Sequence, residues 1–164
     1  MATFHTSLWI PRSPGDVFSF VSDFRNAPRW DPRTYSAIMV TDEPIGIGTQ
    51  FELQGGLLTK SVHEELPAIL RGNETLPYEI VEFDPPRLVA FRGETKTTRY
   101  HDRIQISEER GGTRLTYDAE LTLKGLLEIG EPVFQLLFER IGRDATEPIP
   151  AAVIQAVPSR PNLP

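Results

Sequence analysis

One stretch of the 164-residue chain carries a wide apolar stripe at helical spacing, and it lies near the C-terminus, at Glu131–Arg143. Val133, Phe134, Leu137, Phe138 and Ile141 recur at i, i+3/i+4 and i+7/i+8, while Gln135, Glu139 and Arg143 fall on the opposite face. Pro132 suits the first turn of such a helix, where its missing N–H costs nothing, and Gly142 marks its end. Most of the chain before it alternates apolar and polar residues. A lone amphipathic helix buries its stripe only against another element, so the pattern predicts an α+β domain with one long helix laid on a sheet. Phe134 and Phe138 are then either plain core or the lining of a cavity between helix and sheet.

The rest of the chain supplies that sheet. Thr3–Ile10 alternates Phe4, Thr6, Leu8 and Ile10 against His5, Ser7 and Trp9, which predicts a first strand ended by Pro11. Ser13-Pro14-Gly15-Asp16 reads as a helix start, with Ser as N-cap, Pro at the first helical position and an acid three residues after the cap. Val17, Phe18, Phe20, Val21 and Phe24 form the apolar face of that short helix. A second short helix or turn covers Asn26–Trp30 and stops at Asp31-Pro32. Strands are expected at Tyr35–Thr41, Thr49–Gln54, Thr75–Phe83, Arg87–Gly93, Thr97–Ser107 and Thr113–Leu123. Asp84-Pro85-Pro86 and Arg110-Gly111-Gly112 mark tight turns between them. Leu58–Asn73 is mixed and fits an extension of the third strand, a short helix or a flap. Residues 1–157 read as one domain and 158–164 as a flexible tail.

Composition narrows the function. The chain has no cysteine, which excludes thiol nucleophiles, thiolate metal sites and a disulfide scaffold, and fits a reducing cytoplasm. A net charge of −6 argues against nucleic acid as partner. No apolar run approaches membrane-span length, so no stable membrane insertion is expected. His5, His63 and His101 are scattered, without the spacing of a metal site, and neither metal nor cofactor is expected. His63, beside Glu64 and Glu65, is either a residue at a cavity mouth or part of a solvated loop.

Six segments resemble one family in the same order along the chain. They are Ile10–Asp23, Pro28-Arg29-Trp30-Asp31-Pro32, Ile47-Gly48-Thr49, Val81–Pro86, Gly111–Tyr117 and Leu123-Lys124-Gly125. Together they are similar to the helix-grip superfamily (SRPBCC) of START domains, Bet v 1-like plant allergens and bacterial polyketide cyclase/dehydrase-like proteins. The resemblance spans roughly residues 3–145. It implies a curved seven-stranded antiparallel sheet wrapped around a long C-terminal helix, with two short helices after strand one and an apolar cavity. It also implies binding of a lipid, isoprenoid or polyketide-like molecule. The alternatives are a cyclase or dehydratase working by proton transfer, and an interaction module whose cavity has collapsed.

Hairpin pairing assigns the faces. A turn at Gly111-Gly112 sets Ile106 opposite Leu115, Ile104 opposite Tyr117, Asp102 opposite Ala119 and Tyr100 opposite Leu121. A turn at Thr95-Lys96 sets Phe91 beside Tyr100 and Val89 beside Asp102. The Asp-Pro-Pro link sets Ile80 beside Phe91 and Glu82 near Val89. Arg99, His101, Arg103 and Gln105 then face solvent. The expected ligand-facing set is Trp30, Tyr78, Ile80, Phe91, Tyr100, Ile104, Tyr117, Phe134 and Phe138. The tyrosines either hydrogen-bond a ligand or pack with a wet tip, and Trp30 either packs the short helices over the sheet edge or reaches the ligand. Asp102, Tyr100 and Glu82 are the candidates for proton transfer, since a carboxylate in an apolar wall has a raised pKa. The same register leaves Val81 and Phe83 outside, which points to a possible homodimer.

Overall fold

The computed structural model describes residues 1–56, 58–65, 67, 74–124 and 131–159. Strand β1 (Ala2–Ile10) leads into α1 (Pro14–Ser22) and a 3-10 helix (Phe24–Arg29). Then come β2 (Thr34–Met39), β3 (Gln50–Gly55), α2 (Lys60–Glu65), β4 (Glu74–Asp84), β5 (Leu88–Glu94), β6 (Thr98–Glu109) and β7 (Gly112–Leu123). Helices α3 (Glu131–Thr146) and α4 (Ile149–Ala156) close the chain. The strands form one antiparallel sheet of seven in the order β1-β7-β6-β5-β4-β3-β2. This is the helix-grip architecture expected from the resemblance. Of the expected Leu58–Asn73 connection, Lys60–Glu65 is helical; residues 66 and 68–73, residues 125–130 before α3 and the end of the tail at 160–164 lie outside the described residues.

Local chemistry accounts for the elements. The Ser13 hydroxyl accepts the Asp16 backbone N–H at 3.2 Å and donates back to its carboxylate at 2.8 Å, a reciprocal cap on α1. Arg110 and Gly111 both have positive φ, 50° and 72°, as a two-residue hairpin loop requires. That loop sets Ile106 opposite Leu115 and Tyr100 opposite Leu121, as expected.

Two registers differ from expectation. Phe91 pairs with Asp102 and Val89 with Ile104, so β5 is shifted by two residues against β6. The Thr95 hydroxyl accepts the N–H groups of Thr97 and Thr98, at 3.2 and 3.1 Å, and so builds a wider turn than Thr95-Lys96 alone. A slip of two preserves every face. Between β4 and β5 the link is Pro85-Pro86-Arg87, one residue further along than the expected Asp84-Pro85-Pro86, and a bulge between Ile80 and Glu82 keeps Ile80 opposite Phe91. Beyond the bulge the faces invert. Phe83 turns inward, with its ring 5.4 Å from that of Phe18, and Glu82 turns outward to pair with Arg103 at 3.4 Å. Val81 is half-buried at the bulge itself, so this pair no longer argues for a homodimer.

Helix α3 is rotated from the expected setting. Phe134 is buried and Phe138 and Ile141 half-buried, but Val133 and Leu137 stand 63% and 44% exposed. Gln135, expected at the solvent, instead reaches edge strand β1. Its Nε2 donates to the Thr3 carbonyl at 2.7 Å and its Oε1 accepts the Thr3 N–H at 3.0 Å, which satisfies backbone groups that an edge strand leaves open. Gly142 does not end the helix: a Cβ there would lie 2.4 Å from the Phe4 ring, so the glycine admits a close approach to β1.

The core fills one end of the concave face. Val17, Phe18, Phe20 and Val21 from α1 and Phe24 from the 3-10 helix pack on Ile80, Val89, Phe91, Ile104, Ile106 and Leu115, with Ile149 and Val153 of α4 alongside. Phe24 stacks on Phe91 with ring centroids 3.7 Å apart.

Candidate functional site

The other end of the concave face is hollow. Beneath α3 lies a cavity of about 260 Å³. Rings of Phe4, Phe24, Trp30, Tyr78, Tyr100, Tyr117 and Phe138 form most of its wall, with Leu53, Leu76, Leu121 and Ile141. Asp31, Arg33, Glu74, Asp102 and Glu120 bring charge to it. Of the expected ligand-facing residues, the structure brings Trp30, Tyr78, Tyr100, Tyr117 and Phe138 together around this space. Ile80, Phe91 and Ile104 do not line it: each is 0% exposed and belongs to the packed end, covered by α1, the 3-10 helix and α4. Phe134 also lies outside the wall, at the N-terminal end of α3 beside Phe138.

Asp102 is the chemical centre of the cavity. β6 carries it inward between Tyr100 and Ile104, and it is only 8% exposed. Burial pushes its carboxyl up to about 7, against hydrogen bonds from the hydroxyls of Tyr78 and Tyr117, which favour the charged form; the nearby Asp31 raises it further. The phenols of Tyr78 and Tyr117 are in turn pushed well above their ordinary range, by burial first and by Asp102 second. A carboxyl that holds its proton near neutral pH, flanked by two phenols, can donate to a carbonyl oxygen or serve as counter-ion to a cation.

The other two candidates for proton transfer fall away. Glu82 stands on the outer face beyond the bulge, half-exposed beside Arg103. Tyr100 contributes its ring to the wall, but its hydroxyl donates to the Pro77 carbonyl at 2.5 Å. That bond has a structural reason. Pro77 has no N–H to offer, and β4–β5 pairing stops at Glu79 opposite Arg92. Gly93 lies in between, where a Cβ would sit 1.8 Å from the Pro77 carbonyl and 2.4 Å from the Tyr100 ring. The tyrosine thus reaches across the bare glycine to satisfy the carbonyl.

A second polar group sits at the cavity, formed by residues that the sequence marks only as a helix stop. The Asp31 carboxylate accepts the Thr34 hydroxyl at 2.7 Å and the Arg33 N–H at 2.9 Å, a side-chain-closed turn after the 3-10 helix. Burial raises its carboxyl above the ordinary value, and Thr34 and Arg33 oppose the shift. The Arg33 guanidinium, with its side chain 14% exposed, donates to Asp144 of α3 at 3.0 Å. Asp31 followed by Thr34 signals the turn, but the Arg33–Asp144 pair joins residues 111 apart, for which local sequence holds no signal.

Two of the three histidines, His5 and His101, stay out of the cavity wall. His5 bonds Asp118 at 2.6 Å on the outer face and His101 also faces outward, while the side chain of His63 lies outside the described ones. Among the described residues, no group of three or more His, Asp or Glu converges in the manner of a metal site. Among the same residues, no helix is long and apolar enough to cross a membrane.

Comparison with known proteins bears on fold and family. The model of the family described as polyketide cyclase/dehydrase and lipid transport matches residues 1–147. A START superfamily protein from Mycobacterium smegmatis superposes with a TM-score of 0.74 at 15% identity, covering 96% of this chain and 100% of that one. The protein TTHA0849 from Thermus thermophilus gives 0.72 at 16% identity, covering 94% and 98%. The di-domain ARO/CYC StfQ from the steffimycin biosynthetic pathway gives 0.66 at 14% identity, covering 94% of this chain and 51% of that one. At these identities the solved structures are similar in fold. No curated protein matches the chain.

Proposed function

The chain belongs to the polyketide cyclase/dehydrase and lipid transport family, and on that premise we propose that it binds a small, mostly apolar molecule in the cavity beneath α3. One observation carries this reading: seven aromatic side chains enclose a hollow whose most buried carboxyl group is that of Asp102. Apolar walls with a few convergent polar groups are what ligand sites in proteins have in common. The volume, about 260 Å³, speaks against a collapsed cavity. It corresponds to roughly nine water molecules at ~30 Å³ each, so the ligand is compact or only partly enclosed.

A second reading, proton-transfer catalysis of the cyclase or dehydratase kind, is favoured by Asp102 itself. An acid with a pKa near 7 is poised to give and recover a proton at neutral pH. Tyr78 and Tyr117 hold it in place, and the walls hold a folded substrate against it.

Native mass spectrometry of the purified protein, followed by denaturing extraction, tests the binding reading. A stoichiometric hydrophobic compound is the expected result. An empty protein whose melting temperature fails to respond to a panel of hydrophobic ligands overturns it. If a compound is recovered, its turnover by the wild type but not by Asp102→Asn separates the enzyme from the carrier.

A further inference from the structure

The charges at the cavity do not balance. Asp31 and Asp102 line it with one guanidinium, that of Arg33, which is already bonded to Asp144 of α3 and lies close enough to Asp31 to oppose the rise in its pKa. Glu74 and Glu120 add two more carboxylates at the exposed margin of the same space. Four of the uncharged polar side chains there are already engaged: Thr34 with Asp31, Thr98 with Thr95, Thr146 with the Gly142 carbonyl and Tyr100 with Pro77. An anionic head group would enter a net negative space. A cation would meet carboxylate oxygens and a wall of aromatic rings, Trp30, Tyr78 and Tyr117 among them, surroundings that favour positive charge.

We infer that the cavity takes a small apolar molecule ending in a protonated amine, with Asp102 as its counter-ion. The inference rests on the binding reading above and names the ligand's polar end. Without ligand, the surplus of buried carboxylate is relieved by a proton held on Asp102. The ammonium group replaces that proton. Binding and proton release are therefore one event. The groups that face Asp102 are Tyr78 from β4, Tyr117 from β7 and Asp31 from the turn before β2, while β5 presents Phe91. Of these, Asp31 alone brings further charge, and its sign also favours a cation.

Three probes on one skeleton test this: phenylpropylamine, phenylpropanol and phenylpropanoate, each of about ten non-hydrogen atoms to suit the volume. Their affinities are measured by calorimetry between pH 6 and pH 8, in two buffers of different ionisation enthalpy. The amine is expected to bind about ten-fold or more tighter than the alcohol at pH 8, and the carboxylate weakest. Amine affinity rises with pH across this window, because below about 7 the ligand must displace a proton. Near pH 7 about half a proton is released per amine bound, and none on binding the alcohol. Asp102→Asn is expected to bring the amine to the level of the alcohol and to abolish the proton release. A single cooperative urea transition of the variant is the check that it is folded. If the alcohol or carboxylate binds as tightly as the amine, or the amine binds without proton release, the inference is overturned while the binding reading stands. If none of the three binds, the inference is overturned, and the extraction and melting-temperature panel decide the binding reading separately.

Discussion

The concave face of this sheet is solid at one end and hollow at the other, and a single strand runs through both. On β6, Ile104 and Ile106 are packed, while Tyr100 and Asp102 on the same face line the cavity. The difference comes from what lies on top. At the solid end, α1, the 3-10 helix and α4 converge, bringing Val17, Phe18, Val21, Phe24, Ile149 and Val153. At the hollow end, α3 leans on the edge strand β1, held by Gln135 on Thr3 and by the close contact of Gly142 with Phe4. Inward orientation is therefore not enough to make a residue part of the site. Its position along the strand decides whether it meets a neighbour or an empty space.

The sharpest way to break this contrast is to remove side chains from each end. Phe91→Ala deletes a ring that is 0% exposed and stacked on Phe24, so a loss of about 3–5 kcal/mol is expected. Leu121→Ala removes atoms that already border the void, and a loss of about 1 kcal/mol or less is expected. Urea unfolding at constant m-value measures both. Equal losses would mean that the hollow end closes up in solution.

The ends should also answer differently to pH. Asp102 holds its proton in the folded state up to about 7, whereas its ordinary value is 3.8. Its contribution to stability is therefore fully present below the unfolded value and is lost as pH rises through the folded one. Stability should fall by on the order of 1.4 kcal/mol per pH unit between about pH 4 and pH 7 from this group, with Asp31 acting in the same direction. In Asp102→Asn that part of the slope should vanish. Urea midpoints at pH 5 and pH 8 for both proteins test it. An unchanged slope would show that Asp102 is solvated and ionised throughout.

The solid end is far more legible in the sequence than the hollow one. The cap at Ser13, the apolar face of α1 and the β6–β7 register all follow from residues within a few positions of each other. Expectation and structure part where the placing of a turn matters. The link is Pro85-Pro86-Arg87 in place of Asp84-Pro85-Pro86, and with the bulge after Ile80 it makes Phe83 and Glu82 exchange faces, so Glu82 leaves the candidate site. The Thr95 hydroxyl widens its turn and moves Phe91 from Tyr100 to Asp102. The cavity itself depends on where α3 sits, and its apolar stripe does not encode that. Val133 and Leu137 satisfy the helical pattern as well as Phe134 and Phe138 do. What rotates the helix is a polar contact, Gln135 with an edge strand 132 residues away, and sequence periodicity counts glutamine as solvent-facing.

That rotation sharpens into two smaller tests on α3. Alanine in place of a mid-helix glycine normally stabilises by ~1 kcal/mol. At Gly142 the added methyl would lie 2.4–2.7 Å from the Phe4 ring, close to its attachment to β1. Overpacking of ~1–3 kcal/mol should outweigh the helical gain, so Gly142→Ala is expected to cost about 1 kcal/mol net. If it stabilises, Phe4 has moved aside into the cavity, and probe binding should weaken in parallel. The smallest effect belongs to the opposite face. Leu136 is 69% exposed, yet it sits in the same apolar stretch as buried Phe134. Leu136→Ser should change stability by no more than about 0.5 kcal/mol, because it removes little buried area and only slight helix propensity. Unfolding at two protein concentrations, ten-fold apart, gives this test its discrimination. A larger and concentration-dependent loss would mean that another copy of the chain covers this face, and that the rotation of α3 serves an interface as well as a cavity.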